Sequence, residues 1–222
     1  MTWPGKRIGT RSGLWSYILV YLGNAVRCRR TVRLVVWAGI AVLATGPTWA
    51  EEPTDWALTG YVGRITSVNA WHDIVTEPNH VKFADAYLAT LALSHTLARY
   101  RENDLGLEAE GQVVYNFGDQ SNWEFNALLA TRWYRFPWNE TVATTMAFGL
   151  GLSYATEVPE VEVELEDSSE QLLFYWVWEM TFAPPGAPWG VSLRLHHRST
   201  GFGLMAEDGG MNAIALGLRF EF

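Results

Sequence analysis

Gln171-Leu-Leu-Phe-Tyr-Trp-Val-Trp-Glu-Met-Thr-Phe182 decides how the chain is read. Taken two at a time, Leu172, Phe174, Trp176, Trp178, Met180 and Phe182 fall on one face, with Gln171, Tyr175, Glu179 and Thr181 on the other. Successive side chains of an extended backbone point to opposite sides, so this alternation predicts a strand with two unlike faces. The pattern recurs in 123–134, where Trp123, Phe125, Leu129 and Trp133 oppose Glu124, Asn126, Arg132 and Tyr134. It recurs again in 105–115, where Leu107, Ala109, Val113 and Tyr115 oppose Glu108, Glu110 and Gln112. A soluble sheet would turn its apolar side to a core, but these segments are longer than the usual strand of about 5–6 residues. They match the 9–11 or so residues of a tilted membrane-spanning strand.

Segments of this kind cover roughly 56–66, 82–96, 104–116, 123–135, 141–156, 171–183, 190–200 and 211–222, which predicts eight strands. Short turns are expected at 97–103, 136–140 and 184–188, and longer polar connections at 67–81, 117–122, 157–170 and 201–210. Trp56, Trp123, Trp133, Trp138 and Trp189 lie near strand ends, as interfacial aromatic girdles do. The expected fold is all-β: an eight-stranded antiparallel transmembrane β-barrel in a bacterial outer membrane, short turns periplasmic and longer loops external. So narrow a barrel holds no water channel, and its inward side chains fill it. Glu108, Glu110, Glu124 and Glu179 are expected to pair inside with Arg132, Arg194, Arg198 and Arg219. The acidic stretch Glu157–Glu170 reads as a solvated external loop.

Residues 1–50 have a different character. They hold no Asp or Glu but carry Lys6, Arg7, Arg11, Arg27, Arg29, Arg30 and Arg33, then an apolar run from Leu34 to Thr45 and the exit Thr48-Trp49-Ala50. These are the parts of a secretory signal peptide, and cleavage is expected after Ala50, leaving the barrel as residues 51–222. That segment has 24 Asp and Glu against 9 Lys and Arg, a formal charge of −15. Such a balance disfavours nucleic-acid binding, because phosphate needs a basic footprint, and no nucleic-acid partner is expected. The single cysteine, Cys28, leaves with the signal, so neither disulfides nor thiol chemistry is expected in the barrel.

One constellation falls outside the structural pattern. In Val191-Ser-Leu-Arg-Leu-His-His-Arg-Ser-Thr-Gly-Phe-Gly203, alternation sends Ser192, Arg194, His196 and Arg198 to the lumen, and Val191, Leu193, Leu195, His197 and Ser199 toward lipid. An imidazole and a hydroxyl on a lipid face are costly unless the lipid is itself the substrate. Two residues apart on one face, His197 is placed to take the proton of Ser199 as that hydroxyl attacks an ester carbonyl. In the last strand, Phe222, Phe220, Leu218, Leu216, Ile214 and Asn212 share the outward face, which puts Asn212 beside the top of the preceding strand. Asn212 is the candidate to orient the imidazole, with Glu207 in the intervening loop as the carboxylate alternative.

His197-Arg-Ser199 on a penultimate strand, followed by a glycine-rich loop and a last strand ending on Phe222, resembles the corresponding region of the PagL-type lipid A 3-O-deacylases. The local likeness covers roughly the last 32 residues; the rest agrees in architecture. The resemblance implies a serine esterase on the barrel's outer surface, hydrolysing the 3-O-linked acyl chain of lipid A without metal or cofactor. Its partners would be lipopolysaccharide and the surrounding outer-membrane lipids, and a homodimer stays open. Two positions depart from the family pattern: Asn212 stands where an acid completes the triad, and Thr200 follows the serine where the family usually has Asn. With Thr200 so placed, the backbone N–H groups of Gly201 and Gly203 are the remaining oxyanion candidates. His196 is expected to be a lumen hydrogen-bond partner, His72 and His80 to lie in the first external loop, and His95 near a periplasmic strand end. No metal site is read from them. The competing reading is a non-catalytic small barrel with a structural or adhesive role, and a palmitoyl transferase on a similar barrel comes third.

Overall fold

A sheet with one face in lipid cannot leave an edge unpaired, because hydrocarbon offers no partner for a free N–H or C=O. The computed structural model describes residues 55–67 and 71–222, and in it the sheet closes on itself. Eight antiparallel strands run in chain order: β1 (Trp56–Thr66), β2 (Phe83–Tyr100), β3 (Leu105–Gly118), β4 (Asn122–Trp133), β5 (Ala143–Ala155), β6 (Leu172–Ala183), β7 (Trp189–Ser199) and β8 (Gly210–Glu221). β8 pairs back onto β1 to seal the barrel, from Ala57 opposite Glu221 up to Ile65 opposite Ala213. The expected eight strands and closed all-β architecture are therefore present. The proposed signal peptide, with its cleavage after Ala50, lies outside the described residues.

The two faces separate as the alternation requires. Leu91, Leu129, Leu150, Val62 and Leu216 are among the bare apolar side chains that form the outer belt. Trp56, Trp123, Trp138 and Trp189 are exposed near strand ends. The lumen is charged. Arg194 reaches Glu110 through Nη1 at 2.7 Å and Glu179 through Nη2 at 2.7 Å, with its guanidinium 4.2 Å from the centre of the Tyr61 ring. Arg132 joins Glu108 and Glu179, each at 2.8 Å, and Arg219 adds a 3.3 Å contact to Glu108. His196 lies inside as expected, its ring between the Tyr175 hydroxyl at 3.1 Å and Glu124 at 3.1 Å. Charges removed from water persist only when paired and hydrogen-bonded, and this network supplies both conditions.

Two loop expectations need correction. The 117–122 stretch is not a long loop: β3 runs to Gly118 and β4 starts at Asn122, so only 119–121 connect them. Nor is the acidic stretch 157–170 simply solvated. Counting the first-loop helix α1 (Trp71–Thr76), it contains a second helix, α2 (Glu160–Glu166), whose Val161 and Glu162 are buried. Val161 packs with Tyr61, Ile65, Leu88 and Met211, and Glu162 forms an ion pair with Arg198 Nε at 2.9 Å and accepts from Ser169 Oγ at 2.5 Å. The helix caps the long-loop end of the lumen because Arg198, the uppermost inward cation of β7, otherwise has only the longer 3.9 Å contact to Glu124 for an ion pair.

Replacing Arg194 with Met leaves Glu110 buried without its cation. The expected loss is about 3–5 kcal/mol of unfolding free energy, read as a lower urea midpoint by tryptophan fluorescence. A second outcome concerns α2. Burial pushes the Glu162 carboxyl up to about 7, against Arg198 and Ser169, which draw it down. A carboxyl raised on docking stabilises the docked form fully below its ordinary value of 4.5, and that contribution is lost as pH rises through about 7. Amide protection factors across 160–170 should fall between pH 5 and pH 8, and Glu162→Gln should flatten the change.

Candidate functional site

The lumen network fixes which side of β7 faces inward, and so leaves His197 outward. The register places His197 opposite Asn212 on β8 and Ser199 opposite Gly210. His197 Nδ1 lies 2.6 Å from Asn212 Oδ1. An amide oxygen only accepts, so Nδ1–H is the donor and the neutral ring carries its lone pair on Nε2. Asn212 is itself held by its strand and by the Thr66 hydroxyl, which donates to its backbone carbonyl at 3.3 Å across the β1–β8 seam.

Depth on the outer wall is uneven. Lower down, Leu193 is 39% and Leu216 is 56% exposed, whereas at the top of the same outward faces Leu195 is 7%, His197 8% and Asn212 1% exposed. Aromatic rings account for part of this shielding. Trp176 of β6 pairs across the strands with His197, and the ring centres are 4.6 Å apart with 37° between planes. Trp71 of α1 then meets Trp176 edge-on at 5.6 Å. To do so the β1–β2 connection carries α1 past β8 and β7 to the outer face of β6. Trp176 was legible as an outward residue of β6, but only the strand register brings it to His197.

Ser199 is partly exposed one pleat repeat above His197, and no hydrogen bond joins the two side chains in this structure. Among the described residues, no hydrogen bond or ion pair joins Glu207 to the imidazole; it stays exposed in the β7–β8 loop, and the imidazole's hydrogen-bond partner is Asn212. The loop above Ser199 is internally bonded. Gly203 N–H donates to Thr200 Oγ1 at 3.3 Å and Met205 N–H to the Thr200 carbonyl at 3.0 Å. Gly203 therefore spends its amide inside the loop and is not an oxyanion donor here. Gly201 takes φ +63°, and a Cβ there would fall 2.0 Å from the Phe174 ring, so only glycine lets the loop lie against β6. Gly210, at φ +142°, is likewise excluded from carrying a side chain, because its Cβ would meet the Arg198 carbonyl at 2.5 Å. The backbone beside Ser199 is thus left clear on both flanks.

The remaining histidines have local partners. His95 stacks on Trp56 at 4.3 Å at the short-turn end, His72 contacts Asp73 at 3.3 Å and His80 contacts Glu77 at 3.4 Å. Among the described residues, no group of three or more His, Cys, Asp or Glu has metal-holding geometry.

No family model matches the chain, and no curated protein gives a significant match. Solved structures do. The barrel is similar to the outer membrane enzyme PagL, with a TM-score of 0.52 at 11% identity, covering 75% of this chain and 99% of that one. Neisserial surface protein A (NspA) gives 0.47 at 10% identity, covering 78% of this chain and 100% of the other. The closed eight-stranded sheet, with the PagL likeness, makes the fold that of a bacterial outer-membrane barrel. In such a barrel the short-turn end is periplasmic and the long-loop end external. His197, Ser199 and Asn212 then stand at the external rim, facing the outer leaflet. At this identity the likeness concerns the barrel alone, and a shared barrel does not transfer an activity.

The Asn212 contact predicts a fixed tautomer. In ¹⁵N-labelled protein in detergent, His197 should show a protonated Nδ1 and an unprotonated Nε2 by long-range ¹H–¹⁵N correlation at pH 8. Asn212→Leu should give a mixture of tautomers at that residue alone.

Proposed function

We propose that the chain is a serine esterase acting on lipid A in the outer leaflet, removing the 3-O-linked acyl chain as the PagL-type deacylases do. The observation that carries this reading is the outward imidazole, its Nδ1–H given to Asn212 and its Nε2 left as a base, on the same face as Ser199. On a lipid-facing wall an imidazole in this tautomer costs more than a Leu would.

In the reaction, Nε2 accepts the Ser199 proton while Oγ attacks the ester carbonyl. The tetrahedral oxyanion collapses, the sugar hydroxyl leaves with the proton from His197, and an acyl-serine remains. Water, deprotonated by the same Nε2, then releases the fatty acid and restores Ser199. The Ser199–His197 hydrogen bond has to form as substrate seats, since catalytic contacts of unliganded sites are often long. Asn212 fixes the tautomer but adds no negative charge to balance the imidazolium. Turnover is therefore expected to be slower than with a carboxylate in that place.

The aromatic cover favours a second reading. His197 is 8% exposed beneath Trp176, and no hydrogen bond ties it to Ser199, an arrangement that also suits a non-catalytic barrel with two polar residues satisfied at the rim. Mass spectrometry of lipid A from cells producing the protein separates the readings. The esterase predicts loss of one hydroxyacyl group, abolished by Ser199→Ala and by His197→Ala. A palmitoyl transferase would instead add mass. Lipid A indistinguishable between Ser199→Ala and the unaltered protein would leave the structural barrel.

A further inference from the structure

The positive charges of the barrel are unevenly placed. Residues 55–222 hold nine Lys and Arg. Arg132, Arg194, Arg198 and Arg219 are buried inside, while Arg99, Arg101 and Arg135 lie at or near the short-turn end. Only Arg64 and Lys82 remain at the external end outside the lumen, in a segment whose 22 Asp and Glu give it a formal charge of −13, and both sit where β1 meets β2.

Arg64 is the first charged residue on the outer face of β1, above the outward Leu58, Gly60 and Val62. Its neighbours hold it in a set orientation. Nε donates to the Ala84 carbonyl at 2.9 Å, and the guanidinium lies 5.4 Å from the centre of the Phe83 ring and 5.3 Å from that of Tyr87. The fork is thus braced by two rings and a carbonyl, while its one carboxylate neighbour, Asp85, stands 3.9 Å from Nη2 and is drawn to the Tyr87 hydroxyl at 2.8 Å. The Arg64 and Asp85 side chains are 43% and 75% exposed, so this pair contributes little. A phosphate can take two parallel N–H bonds from the same fork, a stronger arrangement than a long single contact.

The position is next to the candidate site. Arg64 pairs with Ile214 on β8, two residues below Asn212 on the same outward face. That separation is about 7 Å along the strand. Lys82 is exposed at the rim beside it, its carbonyl bonded to Ser67 N–H at 2.9 Å. We infer that Arg64, supported by Lys82, forms an anion subsite for a phosphate on the sugar headgroup of the lipid handled at His197 and Ser199. This rests on the esterase reading for its catalytic meaning, but the binding it describes does not require turnover. Two cations on one side of the ester-attacking pair would fix which end of a phosphorylated glycolipid lies toward β1, and so which acyl ester reaches Ser199.

The test is binding in the Ser199→Ala background, where no substrate is consumed, using native mass spectrometry with three probes: bis-phosphorylated lipid A, chemically dephosphorylated lipid A and phosphatidylglycerol. The expected result is retention of the phosphorylated lipid A on the order of tenfold above the dephosphorylated form. Arg64→Gln with Lys82→Gln should abolish that difference, and Arg64→Lys should keep part of it, because charge remains but the planar fork is lost. An unchanged urea midpoint establishes that each variant is folded. Equal retention of both lipid A forms by the parent, or an undiminished preference in the double variant, overturns the subsite. Equal retention of phosphatidylglycerol overturns it as well, since the contact would then be with any anionic headgroup. Phosphate-selective binding without loss of hydroxyacyl mass in cells would sink the esterase and leave the subsite; loss of that mass without selectivity would do the reverse.

Discussion

Ion pairing inside a closed tube governs the rest of the molecule. Lipid demands that the sheet close, and closure at eight strands leaves a lumen only wide enough for side chains. Here that lumen is filled with carboxylates and guanidinium groups, with Glu179 shared between Arg132 and Arg194 and Glu108 shared between Arg132 and Arg219. A shift of one residue in any of these strands would put the charges into hydrocarbon and the leucines into the ion network. The network therefore does more than fill space. It fixes the parity of every strand, at a cost far larger than any local preference at the strand tops could offset.

The outward placement of His197 follows from that parity. Arg194 and Arg198 must face the lumen, so His196 goes in with them and His197 goes out. The same holds on β8, where inward Arg219 leaves Asn212 outward. The β7–β8 register then sets the two outward polar groups opposite one another at 2.6 Å. The polar pair on the outer wall is thus stabilised indirectly, by charges on the other side of the sheet that it never touches.

How much of this was legible in the sequence depends on the range of the interaction. Strand identity and facing are local, and Phe174, Trp176, Glu179 and Arg132 announce them through alternation alone. The pairing of His197 with Asn212 was reachable because both strands could be counted in steps of two, from Arg194 and from Phe222. What could not be read depends on distant segments. The contact of Trp176 with His197 needs the β6–β7 register, and the arrival of Trp71 on Trp176 needs the path of a loop across two strands. The burial of Glu162 was hidden for a related reason. In an acidic stretch every carboxylate looks solvated, and only the unmet demand of Arg198 inside the lumen selects one of them. The short 119–121 connection was masked because β3 continues polar to its end at Asn116 and Gly118.

Asn212 bears on the chemistry through its charge. At 1% exposure on the lipid-facing wall, a carboxylate there would have to lose its hydration with only a neutral imidazole as partner, and such a group would take up a proton or displace the neighbouring rings. An amide supplies the same acceptor oxygen to Nδ1 and remains neutral, so the imidazole is oriented at no cost in buried charge. The expense falls at a different moment, when His197 becomes cationic with no anion beside it. Under the aromatic cover of Trp176 and Trp71 the unliganded site thus favours a neutral, tightly packed His197–Asn212 pair over one primed with charge. On the esterase reading, a developing oxyanion on the substrate is then the nearest counter-charge the imidazolium can find. The resting stability of the pair and its transition-state chemistry are set against each other by this single change from acid to amide.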